Sequence, residues 1–407
     1  MEPVRTVRFA GRTIGIWPAV VGLVLISRLL LSLVGVVSAA ALADNHVHES
    51  SGALSLSAAA REEISPWGLI NQWYSWDAFH YENLSRTWME IERPIAPHIV
   101  TEDGGRAWNE FSWPPAYPLI VAGLSALAPG DAGLVMVVFG VILFMGLLRV
   151  IAAISAEDGD SEAMVGMVLL TVVVAPVSFI LSIPMTEPLF TLTGALCLLA
   201  LRRHRWASAG IWAAFMVWTK MSGVYMIAPL VLAAAIASLP ALRSRGHRGA
   251  WRPVVAPWLA PLGCGLGYVA YLGFAWFMTG TPRAPFDTQR YGWGNEVGNP
   301  LWSLIDGLGF WQYRFVVGLS AWAIWLAWRR FITPVDLVFS LVMFLSTLPV
   351  DLVAAAPRYA AVGFPVWIGT ARWVRGARWR WGALAACAAG QTWLFVLWSN
   401  DWLVEIV

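Results

Sequence analysis

The sequence predicts an all-α polytopic membrane protein with about eleven transmembrane helices and a long first extracytoplasmic loop that carries interfacial helices. Three observations lead there. Of the 407 residues, 58% are hydrophobic and 13% are charged, when an ordinary soluble domain is about 25% charged. The mean hydropathy of +0.63 points to lipid as the solvent. Apolar stretches approaching the ~20 residues needed to cross a bilayer recur along the chain. The same composition excludes a disordered chain, which would be rich in charge and poor in apolar residues. Three cysteines, Cys197, Cys264 and Cys387, are too few for a disulfide scaffold, and each lies in an apolar run that suits packing. A net charge of +2 gives no footprint for nucleic acid. Tryptophan, at 26 residues, suits many helix ends at membrane interfaces.

The candidate spans are Ile14–Leu42, Ala132–Ile154, Ala163–Leu181, Ile183–Leu201, Trp206–Thr219, Gly223–Leu239, Val254–Met278, Trp311–Trp328, Pro334–Val350, Tyr359–Trp373 and Trp381–Trp398. The first is too long for a signal peptide, contains Arg28 and is followed by further spans, so it is expected to stay in the protein. Arginine placement orients the set. With the N-terminus in the cytoplasm, that side receives Arg5, Arg8, Arg12, Arg149 and four dense clusters: Arg202/Arg203/Arg205, Arg243/Arg245/Arg248/Arg252, Arg329/Arg330 and Arg372/Arg375/Arg378/Arg380. The opposite side receives scattered cations, mostly in long loops where the rule has little force. The whole chain, 1–407, then reads as one integral membrane domain with its C-terminus outside.

Two outer loops follow, 43–131 and 279–310. Loops so long are usually functional. Within the first, Leu69–Met89 reads as an aromatic-rich helix. Ala116–Leu127 is apolar but only 12 residues, better suited to lying on or dipping into the outer surface than to spanning.

Chemistry-bearing residues gather on that side. In Trp73-Tyr-Ser-Trp-Asp-Ala-Phe-His-Tyr81, helical spacing puts Asp77 on one face with Tyr74, His80 and Tyr81. Desolvation among aromatic rings would make its carboxylate a better proton acceptor. An N-cap in an interfacial helix is the structural alternative. In Ser182-Ile-Pro-Met-Thr-Glu-Pro-Leu189, Thr186 suits an N-cap, Pro188 a first turn, and Glu187 the positive end of a helix. A carboxylate at membrane depth is also a site candidate. Lys220, the only lysine, and Arg358, followed by Tyr359, are isolated cations at the borders of apolar runs. Either they snorkel to the surface or they hold a lipid phosphate. Arg28, in mid-span, is expected to neutralise an internal carboxylate. Phe111-Ser-Trp-Pro-Pro-Ala-Tyr-Pro118 makes a rigid entry to the surface helix, shaping the loop or lining a sugar cleft. His46 and His48 form at best a weak chelate. Asp77 and Glu187 together would suit a divalent cation. No phosphate-binding loop, nucleophile elbow or dinucleotide fingerprint is present.

Trp76-Asp77-Ala78-Phe79-His80-Tyr81 resembles the W-D-x-x-x-Y signature of the first luminal loop of the PIG-V-like mannosyltransferases, polytopic enzymes of the GT-C glycosyltransferase superfamily. The Phe-Ser-Trp-Pro-Pro-Ala-Tyr-Pro-Leu stretch is similar to the family's aromatic-proline segment. Pro184-Met-Thr-Glu-Pro-Leu-Phe190 resembles its P-x-S-E-x-x-F element, with Thr186 where serine is usual. Trp218-Thr-Lys-Met-Ser-Gly223 resembles T-R-x-x-G, with Lys220 in place of arginine. Thr279 to Gly294 resembles the second outer loop, and Pro357-Arg-Tyr-Ala-Ala-Val-Gly-Phe-Pro365 the final R-Y segment. The resemblance implies a GT-C-like fold with an extracytoplasmic active site. It implies a sugar donor carried on a polyprenyl phosphate, a lipid or glycan acceptor, and Asp77 in the catalytic position. The arginine bias points to a bacterial plasma membrane.

A polyprenyl-phosphate donor suits these residues chemically. Its phosphate leaves as a stable anion, so a general acid is not required and one base suffices, unlike the carboxylate pair of a glycosidase. Asp77 is expected to take the acceptor proton, Arg358 and Lys220 to stabilise the departing phosphate, and Glu187, His80, Tyr81 and Tyr359 to bind substrate. This reading requires Asp77 and the lone cations to converge on one pocket. A polytopic lipid or small-solute transporter or flippase is the rival; it would carry paired repeats and polar helices near the midplane. A silent scaffold for another transferase is a third reading.

Overall fold

The computed structural model describes residues 4–9, 11–42, 69–74, 77–87, 113–127, 132–243, 252–287, 289–290, 298–350 and 355–400. Trp76, His46, His48, His98, Phe111 and the stretch from Tyr291 to Val297 lie outside the described residues. In chain order the main elements are β1 (Thr6–Phe9), β2 (Arg12–Gly15), α1 (Ile16–Leu42), α2 (Ala78–Thr87), α3 (Ala116–Leu127), α4 (Ala132–Glu157), α5 (Glu162–Val174), α6 (Thr186–Arg202), α7 (Trp206–Thr219), α8 (Ile227–Arg243), α9 (Leu259–Thr279), α10 (Pro300–Gly307), α11 (Trp311–Trp328), α12 (Pro334–Leu345), α13 (Ala356–Val362), α14 (Pro365–Val374) and α15 (Arg380–Ser399).

The all-α expectation holds. Among the described residues, five helices are long and apolar enough to cross a bilayer: Ile16–Ala41, Ala132–Glu157, Met221–Pro240, Arg252–Thr279 and Arg380–Ser399. Shorter apolar helices accompany them, including Ala116–Leu127, Glu162–Val174 and Pro334–Leu345. The chain is read as an integral membrane protein on these lengths. An N-terminal hairpin that the hydropathy reading did not anticipate precedes α1. Its strands pair antiparallel from Thr6↔Gly15 to Phe9↔Arg12, and Gly11 supplies the left-handed φ of +83° that the tight turn needs.

The described chain divides into two compact units. The first comprises Met1–Met89, Tyr117–Leu192 and Trp367–Val407; the second comprises Glu90–Ala116 and Thr193–Val366.

In the first unit, the expected continuous spans Ala163–Leu181 and Ile183–Leu201 are corrected. α5 ends at Val174, a 3-10 turn covers Ser178–Ser182, and α6 begins at Thr186. Two prolines cause the break. Ala175 before Pro176 and Ile183 before Pro184 both take extended backbone, with ψ of 142° and 157°, as crowding by a following proline ring dictates. Carbonyls freed at such a break must find other donors in lipid. Gln391 Nε2 of α15 donates to Val173 O at 3.0 Å and Ala175 O at 2.8 Å. Arg28 of α1 donates through Nη2 to Ser178 O and through Nε to Ser182 Oγ, both at 2.7 Å. The guanidinium also lies over the Phe144 ring at 4.3 Å. The expectation that Arg28 neutralises a carboxylate is therefore corrected: its partners among the described residues are serines, a carbonyl and aromatic faces. On the other side, α4 comes so near the 3-10 turn that a Cβ at Gly140 would sit 2.6 Å from Ser182 O.

In the second unit, α7 and α9 cross at near backbone contact. A Cβ at Gly263 would lie 2.6 Å from Gly210 Cα, and one at Gly267 would lie 2.5 Å from Ala214 Cα. Glycines four apart on α9 thus meet Gly210 and Ala214, four apart on α7, as small residues do where membrane helices associate. Trp218 Nε1 then donates to Gly267 O at 3.0 Å. Arg202 Nη2 meets Asp336 Oδ2 at 2.7 Å, and Asp336 also closes a capping box with Thr333 at the start of α12. The expected span Tyr359–Trp373 is likewise corrected: α13 stops at Val362, and Pro365 opens α14 from the first helical position.

Candidate functional site

Asp77 stands immediately before α2, and its carbonyl accepts the Tyr81 N–H at 3.1 Å, opening the helix. The expected single helix Leu69–Met89 is corrected to a 3-10 turn at Asn71–Trp73 followed by α2. Tyr74 therefore does not continue the Asp77 face; its hydroxyl donates to Glu82, which also pairs with Arg86. Along α2, Ala78, Tyr81, Glu82 and Ser85 are buried at three- and four-residue spacing. Asp77 and His80 are half-buried, and the His80 ring meets Phe79 edge-on, 6.1 Å between centroids.

Tyr81 points from this helix to the next component. Its hydroxyl lies 3.3 Å from Thr186 Oγ1, with either oxygen able to donate. Thr186 is the first residue of α6 rather than its N-cap, so its hydroxyl meets Tyr81. Glu187 follows in the first turn, 1% exposed. There the helix N-terminus favours its negative charge. Thr191 Oγ1 donates to Glu187 O at 2.8 Å, tightening that turn.

Tyr117, in the first turn of α3, completes the group. Its ring is fully buried and meets Tyr81 edge-on at 5.5 Å and Phe139 in a stack at 6.0 Å. Burial first, then the Glu187 charge, holds the Tyr117 phenol well above its ordinary pKa. The sequence reading took the stretch that holds Tyr117 as shaping the loop or lining a sugar cleft, and did not single out this residue. The signal that marks it is its place directly after Pro114-Pro115-Ala116, which fixes the entry to α3.

The predicted cations Lys220 and Arg358 both lie in the second unit. Lys220 ends α7 in extended backbone, and its carbonyl accepts the Gly223 N–H at 2.8 Å. Gly223 allows the chain to fold back, since a Cβ there would meet Val217 N at 2.6 Å. The Lys220 ammonium rests over the Tyr359 ring, 4.1 Å from its centroid, a favourable cation–π contact. Arg358, the preceding residue on α13, is buried at 8% exposure. Asp77, His80, Tyr81 and Glu187 thus belong to the first unit, and Lys220, Arg358 and Tyr359 to the second. Among the described residues, no three His, Cys, Asp or Glu side chains gather as a metal site would need.

No family model and no curated protein matches the chain. A solved structure similar to it is that of the Archaeoglobus fulgidus oligosaccharyltransferase, tethered with an acceptor peptide containing the NVT sequon via a disulfide bond. The identity is 12% and the TM-score 0.43, over 86% of this chain and 54% of that one. The chain spans about half the length of that enzyme.

Proposed function

We propose that this chain is an inverting glycosyltransferase, a mannosyltransferase in the first instance. It moves a sugar from a polyprenyl-phosphate donor to a lipid or glycan acceptor at the extracytoplasmic face. The observation that carries the reading is the direct link between two acidic helix starts. Asp77 opens α2, Glu187 opens α6, and the Tyr81 and Thr186 hydroxyls meet between them. The Lys220–Tyr359 contact beside Arg358 adds cationic groups of the type a phosphate requires.

In the proposed reaction, Asp77 accepts the proton of the acceptor hydroxyl as that oxygen attacks the anomeric carbon. The bond from that carbon to the phosphate oxygen breaks on the opposite face, inverting the centre, and the phosphate keeps the electron pair. Arg358 and Lys220 stabilise the charge on the departing phosphate. Glu187 orients a sugar or acceptor hydroxyl, while His80, Tyr81 and Tyr359 shape the substrate surfaces.

The test is transfer by purified protein in lipid, using polyprenyl-phosphate mannose and a panel of lipid and glycan acceptors, with products weighed. Asp77→Asn should lower the rate by about 100- to 10,000-fold, the usual loss on removing a general base. Near wild-type transfer by folded Asp77→Asn protein excludes Asp77 as the base. Arg358→Ala should raise the donor concentration required; unchanged donor dependence removes it from the phosphate site. Movement of substrate across sealed vesicles without a covalent product decides for a transporter.

A further inference from the structure

We infer that Tyr117, Thr186 and Glu187 form a subsite for the hydroxyl groups of a neutral sugar ring, with Tyr117 its specificity-determining residue. This rests on the transferase reading and names the part of the site that grips the sugar rather than the phosphate. The Tyr117 phenol oxygen is wholly buried and has no hydrogen-bond partner among the described residues. Burying a hydroxyl without a partner is costly, so such a group in a native fold calls for an explanation. Its position is not set by that oxygen: apolar contact with Tyr81 and Phe139 fixes the ring.

The neighbours specify what the oxygen would meet. Glu187 follows Thr186 in the first turn of α6, and Tyr81, whose ring meets that of Tyr117, has its hydroxyl 3.3 Å from Thr186 Oγ1. A hydroxyl both donates and accepts, whereas an ionised carboxylate only accepts. This mixture suits sugar hydroxyls, which do both. It does not suit a phosphate, which the Glu187 carboxylate would repel.

The experiment compares full-length wild-type and Tyr117→Phe proteins in lipid nanodiscs. Three probes are used: methyl α-mannopyranoside, polyprenyl-phosphate mannose, and polyprenyl phosphate without sugar. Removing the hydroxyl should weaken both sugar-bearing probes by about 2- to 13-fold, the value of one lost hydrogen bond. Binding of the bare lipid should not change, and the melting temperature should stay level or rise, because an unpaired polar group has been deleted. Unchanged affinity for both sugar probes overturns the subsite and leaves a trapped water as the partner. A fall in melting temperature also overturns it, by giving the hydroxyl a structural role. Tyr117-dependent mannoside binding with neither lipid bound keeps the subsite and removes the polyprenyl donor. No mannoside or mannose-lipid binding by wild-type protein removes the subsite itself.

Discussion

Gly140→Ala should destabilise the protein, whereas the same change six residues further along the same helix should not. A Cβ at Gly140 would sit 2.6 Å from Ser182 O and 2.9 Å from Ile183 O. Ordinary contact begins at 3.4 Å, so the Ser182 carbonyl must retreat by the difference, about 0.8 Å. That retreat is resisted, because Arg28 holds Ser182 Oγ at 2.7 Å and the same hydroxyl donates to Phe179 O at 3.0 Å. Overpacking of this kind costs about 1–3 kcal/mol. Replacing a helical glycine by alanine returns about 0.5–1 kcal/mol, leaving a net loss on the order of 1 kcal/mol. At Gly146 the nearest atom is the flexible Leu192 Cδ2 at 3.5 Å, so Gly146→Ala keeps the helix gain without the clash. Unfolding of both variants in the same lipid–detergent mixture measures the difference. Gly140→Ala should melt lower than wild type and Gly146→Ala level or higher. Equal shifts in the two variants would refute the close approach of α4 to the turn before Glu187.

Two further changes probe the second unit. Gly263→Val puts a branched side chain where even a Cβ would lie 2.6 Å from Gly210 Cα; it should separate α7 from α9 and cost at least 1–3 kcal/mol, read as a lower melting temperature. Asp336→Ala removes both the capping box and an ion-pair partner of Arg202, whose side chain is 14% exposed. A loss of about 3 kcal/mol or more is expected in unfolding measurements, and Arg202→Met in the same background should recover part of it.

Hydropathy alone located the helices whose ends carry no internal breaker. Trp206–Thr219 and Trp311–Trp328 appear with the predicted bounds. Where the reading ran two apolar stretches through Pro176 and Pro365, the backbone breaks. The reason is local and visible in the residues: the ring crowds the residue before it. Arg28 and Gln391 were not legible in the same way, since their partners are main-chain carbonyls that exist only once α5 has ended. The short hairpin Thr6–Phe9 and Arg12–Gly15 lies outside what a membrane-span scan registers. At the candidate site, Asp77, Tyr81, Thr186 and Glu187 stood out as motif residues. Their meeting did not, because Tyr81 and Thr186 are 105 positions apart and join through a single hydroxyl pair. Tyr117 is the clearest case: Pro114-Pro115-Ala116 marks it as a first-turn residue, but not as one whose phenol oxygen has no hydrogen-bond partner among the described residues.

The carbonyls of Val173 and Ala175 are answered by Gln391, more than two hundred positions later in the chain. A ribosome delivers the prolines long before it delivers that amide. Until residue 391 enters the bilayer, those two oxygens lack the partner they have in the finished protein, and lipid offers no substitute. The geometry ahead of Glu187 is therefore completed by the arrival of the last described helix, and a nascent chain halted short of it would carry the acidic helix start on an unfinished support.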